Sequence, residues 1–216
     1  MRLFHGQTVG VKICGITSES DAHMCISEGA NALGFNFFSG SKRHLNPKNN
    51  LHWIRALNGK VDRVAVVVNA SADLLATLLE ADCFELIQFH GDESPVDCEV
   101  SGFSHWMKAI RVRNEDALKE AMAFSCSTLL LDAWSVAGYG GTGEVADWQL
   151  IHDFAAESPD RNLILAGGLK PENVASAIRC VRPKAVDVAG GVESAPGIKC
   201  QKLVRSFIQE AKKVLF

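Results

Sequence analysis

Residues 162–191, NLILAGGLKPENVASAIRCVRPKAVDVAGG, contain the pattern that decides the fold. An apolar run at 162–166 is followed by a segment of helical period at 171–181, and a second apolar run follows at 185–188. Pro171 suits the first position of a helix. Runs that are apolar on both faces are typical of parallel strands covered by helices. The stretch therefore predicts a strand, a helix and a second strand parallel to the first.

The same pattern continues towards the N-terminus. Six more short apolar runs are separated by amphipathic segments, and they lie at 9–14, 32–37, 63–68, 85–90, 106–110 and 128–131. Eight units in 216 residues average 27 residues each, which is about the length of one tight βα repeat. The sequence predicts an α/β fold in which residues 1–216 form a single (β/α)8 TIM barrel domain. A doubly wound open sheet is the rival, but residues 14–17 after the first strand are not its G-x-G-x-x-G loop.

Composition narrows the class of protein. The chain has 22 basic and 25 acidic residues and a net charge of −3, so a nucleic-acid partner is not expected. No run approaches eighteen apolar residues, so a membrane-spanning protein is not expected either. The seven cysteines are odd in number and form no C-x-x-C pair. This usage favours reduced thiols and a cytoplasmic protein without a metal site.

Polar residues end most of the predicted strands. In a (β/α)8 barrel the active site forms at the carboxyl ends of the strands. The residues at or just beyond these ends are Cys14, Asn36, Asn69, His90, Arg111, Asp132, Gly167, Gly168 and Asp187. We expect the catalytic groups to be among them.

Three glycine-bearing turns follow the last three strands. They contain Gly141 and Gly143, Gly167 and Gly168, and Gly190 and Gly191. Glycine allows backbone N–H groups to approach and surround an anion. Because phosphate sites commonly lie beyond the last strands of such barrels, these six glycines predict a phosphate site.

Six blocks carry a resemblance to a known family. They are KICGIT (12–17), ALGFNFFSGSKR (32–43), IQFHGDE (87–93), LLLDAW followed by GYGGTG and DW (129–148), LAGGLKPENV (165–174) and VDVAGGVESAPGIK (186–199). In their order and spacing they resemble phosphoribosylanthranilate isomerase. That family converts N-(5′-phosphoribosyl)anthranilate into 1-(2-carboxyphenylamino)-1-deoxyribulose 5-phosphate, an Amadori rearrangement in tryptophan biosynthesis.

The resemblance also implies roles for individual residues. Cys14 would be the general base that takes the C2′ proton, and Asp132 the general acid that protonates the ribose ring oxygen. Arg43 would bind the anthranilate carboxylate, Asp187 would position substrate hydroxyls or the amine, and His90 would support the site. No cofactor and no metal are implied. On the same strand face as Cys14, Lys12 is expected to help lower the pKa of the thiol.

Some positions depart from the family pattern, and two other functions stay open. Ala189, Gly190 and Gly191 stand where the family usually has Ser-Ser-Gly, which removes two hydroxyls near the expected phosphate. The first alternative is a related phosphosugar aldose-ketose isomerase of TIM-barrel type, and the second is a non-catalytic phosphate-binding barrel. We expect a small phosphoribosyl substrate as the partner, and a monomer or homodimer.

Overall fold

The computed structural model describes residues 1–6, 8–133 and 148–215. Within these residues, parallel strands β1 to β8 close into a barrel in chain order, with β1 paired to β8. The strands are β1 (Gly10–Cys14), β2 (Ala32–Asn36), β3 (Asp62–Val67), β4 (Leu86–Phe89), β5 (Trp106–Val112), β6 (Thr128–Ala133), β7 (Asn162–Leu165) and β8 (Ala185–Val188). The predicted (β/α)8 TIM barrel is confirmed.

Helices alternate with the strands and cover the outside of the barrel. They are α1 (Glu19–Ser27), α2 (Pro47–Arg55), α3 (Ala72–Ala81), α4 (Pro95–Glu99), α5 (Glu115–Ala121), α6 (Trp148–Glu157), α7 (Val174–Val181) and α8 (Gln201–Lys212). A short antiparallel hairpin, β9 (Glu193–Ala195) and β10 (Ile198–Lys199), lies between β8 and α8.

Two apolar clusters build the core, because successive side chains of a strand point to opposite faces. The outer cluster joins the strands to the helices, and the inner cluster fills the barrel. Leu3 belongs to the inner cluster, and its backbone N–H donates to Asp62 Oδ2 at 2.8 Å. Burying a leucine side chain stabilises the fold by about 1.5–3 kcal/mol. This N-terminal residue therefore contributes to the filled interior.

Local side-chain bonds fix where the helices begin. Ser18 accepts from the Asp21 N–H at 3.2 Å, as a helix N-cap does. The Asp21 carboxylate accepts from the Lys199 N–H at 3.0 Å, so it ties α1 to the hairpin after β8. The prediction that Pro171 opens a helix is wrong. Helix α7 begins at Val174, because the Asn173 side chain bonds back to the loop before it and folds residues 171–173 into a turn.

Candidate active site

The β1 and β8 strands place a buried ion pair below Cys14. Lys12 and Asp187 are register partners, and Lys12 Nζ donates to Asp187 Oδ1 at 2.6 Å. Lys12 is fully buried, whereas Cys14, two residues later on the same face, keeps part of its surface exposed. A thiol, an ammonium and a carboxylate therefore meet at the carboxyl ends of two adjacent strands.

The thiol and the ammonium influence each other's ionisation. Burial lowers the pKa of Lys12, but the nearby charges of Asp187 and Cys14 outweigh it, so the pKa is raised and Lys12 stays protonated. Burial raises the pKa of Cys14, and Lys12 offsets only part of that rise. The expectation that Lys12 helps to lower the thiol pKa holds for its own contribution. The net pKa is nevertheless above the ordinary value, because the protein removes water from the thiolate.

Gly34 leaves room for both groups. It is the β2 register partner of Cys14. A Cβ at this position would lie 2.7 Å from Cys14 Sγ and 3.1 Å from Lys12 Nζ. The first distance is shorter than a van der Waals contact between carbon and sulfur, so the thiol would have to move. The position of the thiol therefore depends on a glycine in the neighbouring strand.

Arg43, from the loop after β2, reaches across to the hairpin after β8. Its Nε and Nη2 donate to the two carboxylate oxygens of Glu193 at 2.7 and 2.6 Å. Lys199 Nζ donates to the same carboxylate at 2.8 Å and to the Cys14 carbonyl at 2.6 Å. Sequence reasoning identified Arg43 but missed Glu193 and Lys199, since no spacing rule links Arg43 to a partner 150 positions away.

A third group lies at the carboxyl ends of β4 and β6. His90 Nε2 is 3.3 Å from Asp132 Oδ2, although no directed hydrogen bond joins them. Gln88 Nε2 is 2.7 Å from His90 Nδ1. If the Gln88 amide donates, Nδ1 accepts and the ring proton sits on Nε2, facing Asp132. The structure thus brings Asp132 together with His90, which the sequence placed in a supporting role.

The glycine turns after β7 and β8 lie against each other. Gly167 and Gly168 have φ of 89° and 62°, in the left-handed region that favours glycine. A Cβ at Gly191 would lie 2.0 Å from the Leu169 carbonyl oxygen, so the two turns pack at backbone distance. Gly190 begins a short 3-10 turn at Gly190–Val192. The other two predicted phosphate-binding residues, 141 and 143, lie outside the described residues.

A metal site was not expected from the sequence. In residues 1–6, 8–133 and 148–215, no three His, Cys, Asp or Glu side chains group so that they could hold a metal ion. The expectation that no metal or cofactor is needed stays a prediction.

A (β/α)8 barrel with a thiol, a carboxyl group and two glycine turns at the carboxyl ends of its strands has the groups that acid–base enzymes use. The N-(5′-phosphoribosyl)anthranilate (PRA) isomerase family matches residues 11–210. The chain belongs to this family, and the resemblance found in its sequence is confirmed.

Individual relatives agree with the family assignment. An N-(5′-phosphoribosyl)anthranilate isomerase of Geobacter sp. (strain M21) is 45% identical over 204 residues, which is 94% of this chain and 98% of the relative. The crystal structure of phosphoribosyl anthranilate isomerase from Thermotoga maritima is 38% identical, with a TM-score of 0.86 over 95% of this chain and all of that one. A further phosphoribosyl anthranilate isomerase structure, in complex with reduced 1-(o-carboxyphenylamino)-1-deoxyribulose 5-phosphate, is 36% identical, with a TM-score of 0.82 over the same shares.

Proposed function

We propose that this chain isomerises N-(5′-phosphoribosyl)anthranilate by general acid–base catalysis in tryptophan biosynthesis. The observation that carries the proposal is that a barrel of this family has Cys14 at the end of β1 and Asp132 in β6, with Lys199 bonded to the Cys14 carbonyl and His90 3.3 Å from Asp132. Asp132 gives a proton to the ribose ring oxygen, and Cys14 takes a proton from C2′.

The reaction begins with ring opening. Asp132 donates a proton to the ribose ring oxygen while the bond from that oxygen to C1′ breaks, and the lone pair of the anthranilate nitrogen forms an iminium with C1′. The Cys14 thiolate then removes the C2′ proton, and the electron pair of the broken C–H bond neutralises the iminium. The resulting enol-amine accepts a proton at C1′ and loses one from the C2′ hydroxyl, which gives the ketose. Atoms and electrons balance without a cofactor.

The remaining groups hold the substrate in this scheme. Arg43 pairs with the anthranilate carboxylate, since a guanidinium binds such a group through two parallel hydrogen bonds. Asp187 accepts from substrate hydroxyls through the oxygen that Lys12 does not occupy. The turns at Gly167 and Gly168 and at Gly190 and Gly191 supply backbone N–H groups to the 5′-phosphate. His90 supports Asp132.

The direct test is conversion of N-(5′-phosphoribosyl)anthranilate by the purified protein in the presence of a chelator. We expect the substrate to disappear with formation of the ketose, and no gain in rate on adding metal ions. Tight binding without conversion would contradict the proposal and favour a non-catalytic phosphate-binding barrel. Faster conversion of the aminoaldose phosphate of the histidine pathway would favour a related phosphosugar isomerase.

The paired roles of Cys14 and Asp132 predict how activity depends on pH. Burial raises the pKa of the Cys14 thiol above its ordinary value, and the basic thiolate becomes more abundant as pH rises. Because Asp132 must also carry the proton that it gives to the ring oxygen, we expect kcat/KM to fall at low pH, where the thiolate is lost, and at high pH, where the carboxylic acid is lost. A profile that lacks either fall would contradict the paired roles of Cys14 and Asp132. Circular dichroism at each pH controls for unfolding.

A methyl group at Gly34 should damage catalysis without unfolding the barrel. In Gly34→Ala the new Cβ pushes Cys14 Sγ and Lys12 Nζ from their positions. We expect kcat/KM to fall by about a hundredfold, the effect of misplacing a reacting group by about 1 Å. Steady-state kinetics measure the loss. Gly6→Ala is the matched control, because a Cβ there meets nothing closer than 3.4 Å, and wild-type kinetics in Gly34→Ala would refute the steric argument.

Location and assembly belong to the proposal as well. Among the described residues, no helix is long and apolar enough to cross a membrane. We propose a cytoplasmic enzyme that acts on a small phosphoribosyl substrate. The expectation of a monomer or homodimer stays a prediction, and sedimentation of the purified chain tests it.

A further inference from the structure

We propose that Glu193 and Lys199 form a clamp that fixes the Arg43 guanidinium, so that its unoccupied N–H edge faces the carboxylate of the substrate. Glu193 and Lys199 are then positioning residues for substrate binding, acting through Arg43. This inference rests on the proposed function, because it requires a substrate with a carboxylate beside its reacting sugar.

The clamp is a built and buried structure. The side chains of Glu193 and Lys199 are 5% and 0% exposed. Two hydrogen bonds join Arg43 to Glu193, and three bonds hold Lys199 Nζ, to Glu193 and to the carbonyls of Cys14 and Ala189 at 2.6 and 3.2 Å. The clamp therefore ties the guanidinium to the ends of both β1 and β8.

The pairing leaves one face of the guanidinium for a ligand. Arg43 offers five N–H groups in a planar fork. Glu193 takes the Nε–H and one Nη2–H, which leaves the edge formed by Nη1 and the second Nη2–H. In the part of the chain that the structure describes, no hydrogen bond occupies Nη1. That edge has the spacing to bind a second carboxylate through two parallel hydrogen bonds.

The path of the Arg43 side chain brings its guanidinium beside the residue that follows Cys14. A Cβ at Gly15 would lie 2.3 Å from Arg43 Cδ, so the aliphatic stem crosses directly over the residue after Cys14. A ring carboxylate bound by Arg43 would therefore hold the attached sugar beside the thiol.

The charges favour a permanent clamp over a carboxylate that the substrate displaces. Burial raises the pKa of Glu193, but its bonds to Arg43 and Lys199 outweigh this and the pKa is lowered, so the group is an anion. Displacing Glu193 from Arg43 would leave a buried anion with one partner fewer, which is costly. Binding at the free edge avoids that cost.

The test compares Glu193→Gln with the wild type on two substrates. The amide keeps the size of the side chain but cannot accept from both guanidinium nitrogens, so Arg43 loses its fixed orientation. For N-(5′-phosphoribosyl)anthranilate we expect KM to rise about tenfold while kcat changes less than about threefold, the pattern of lost binding shared by ground state and transition state. For the analogue in which aniline replaces anthranilate, the variant and the wild type should have kcat/KM values within about twofold.

A second guanidinium–carboxylate pair provides the control. Arg205 Nε and Nη2 donate to Glu28 at 2.8 and 2.9 Å, the same bonding pattern on the exposed surface between α1 and α8. Glu28→Gln should leave KM for both substrates unchanged. Glu193→Asp, which keeps the charge but shortens the arm, should raise KM less than Glu193→Gln does.

Several results would overturn the clamp. An unchanged KM in Glu193→Gln would show that the orientation of Arg43 does not depend on it, and a lower KM would show that Glu193 competes with the substrate. Equal losses on both substrates would mean a general structural role. If the wild type does not convert the anthranilate substrate at all, both the proposed function and the proposed clamp are refuted. If the wild type converts it and Glu193→Gln has the same kinetics, only the proposed clamp is refuted.

Discussion

Cys14→Ser is expected to lower kcat/KM by about 10³-fold, within the range that a positioned general base contributes. Serine is nearly the size of cysteine, and its hydroxyl fits beside Lys12 and Gly34, but it is a far weaker acid than a thiol. The variant therefore lacks the anion that removes the C2′ proton. Single-turnover conversion of N-(5′-phosphoribosyl)anthranilate measures the loss, and substrate binding should change little, since the carboxylate and phosphate sites remain.

Cys180→Ser is the matched control for this result. Cys180 lies on α7, keeps part of its surface exposed and is not part of the proposed machinery. Its variant should convert the substrate at the wild-type rate. A Cys14→Ser enzyme with more than about a tenth of wild-type kcat/KM would remove the thiol from the role of general base.

Asp132→Asn should have an effect of similar size through the other half of the reaction. The amide keeps the shape of the side chain and its place beside His90, but it cannot deliver a proton to the ring oxygen. We expect kcat/KM to fall by about 10²- to 10⁴-fold, the contribution of a general acid. Because the substrate still meets Arg43 and the glycine turns, most of the loss should appear in kcat.

An exposed aspartate controls for the Asp132 substitution. Asp116 lies on α5 and pairs with Lys119 at 3.2 Å on the surface, so Asp116→Asn should leave both kcat and KM unchanged. If Asp132→Asn kept wild-type kcat, the proton for ring opening would have to come from another group. His90, 3.3 Å from Asp132, would then be the first residue to substitute.

The fold could be predicted from the sequence because the same strand-and-helix pattern is repeated along the chain. Each βα unit pairs a short apolar run with an amphipathic helix, and eight such units leave little choice other than a barrel. The beginning of α7 was not predicted correctly, since Pro171 obeys the general preference while the Asn173 side chain imposes a turn instead. Local rules of this kind give way when a nearby side chain offers a competing bond.

The candidate site could be predicted from the sequence only in part. The strand-end rule selects Cys14 and Asp132 by position, and the family resemblance supplies their roles, which stay predictions. The ion pair of Arg43 with Glu193 joins a loop to a hairpin that lies far away in the chain, so no spacing rule in the sequence predicts it. The direction of the net shift in the Cys14 pKa could not be predicted from the sequence either. It depends on whether burial or the Lys12 charge has the larger effect in the folded protein.

The order of the two proton transfers is the central claim, and a deuterium isotope effect tests it most directly. Substrate deuterated at C2′ is converted in single turnovers by Cys14→Ser and by Asp132→Asn. If Cys14 takes the C2′ proton after Asp132 has opened the ring, deuterium should slow Cys14→Ser several-fold, because removal of that hydrogen limits its rate. Deuterium should barely affect Asp132→Asn, in which ring opening is limiting. Equal isotope effects in the two variants, or the reverse order, would contradict the assignment of base and acid.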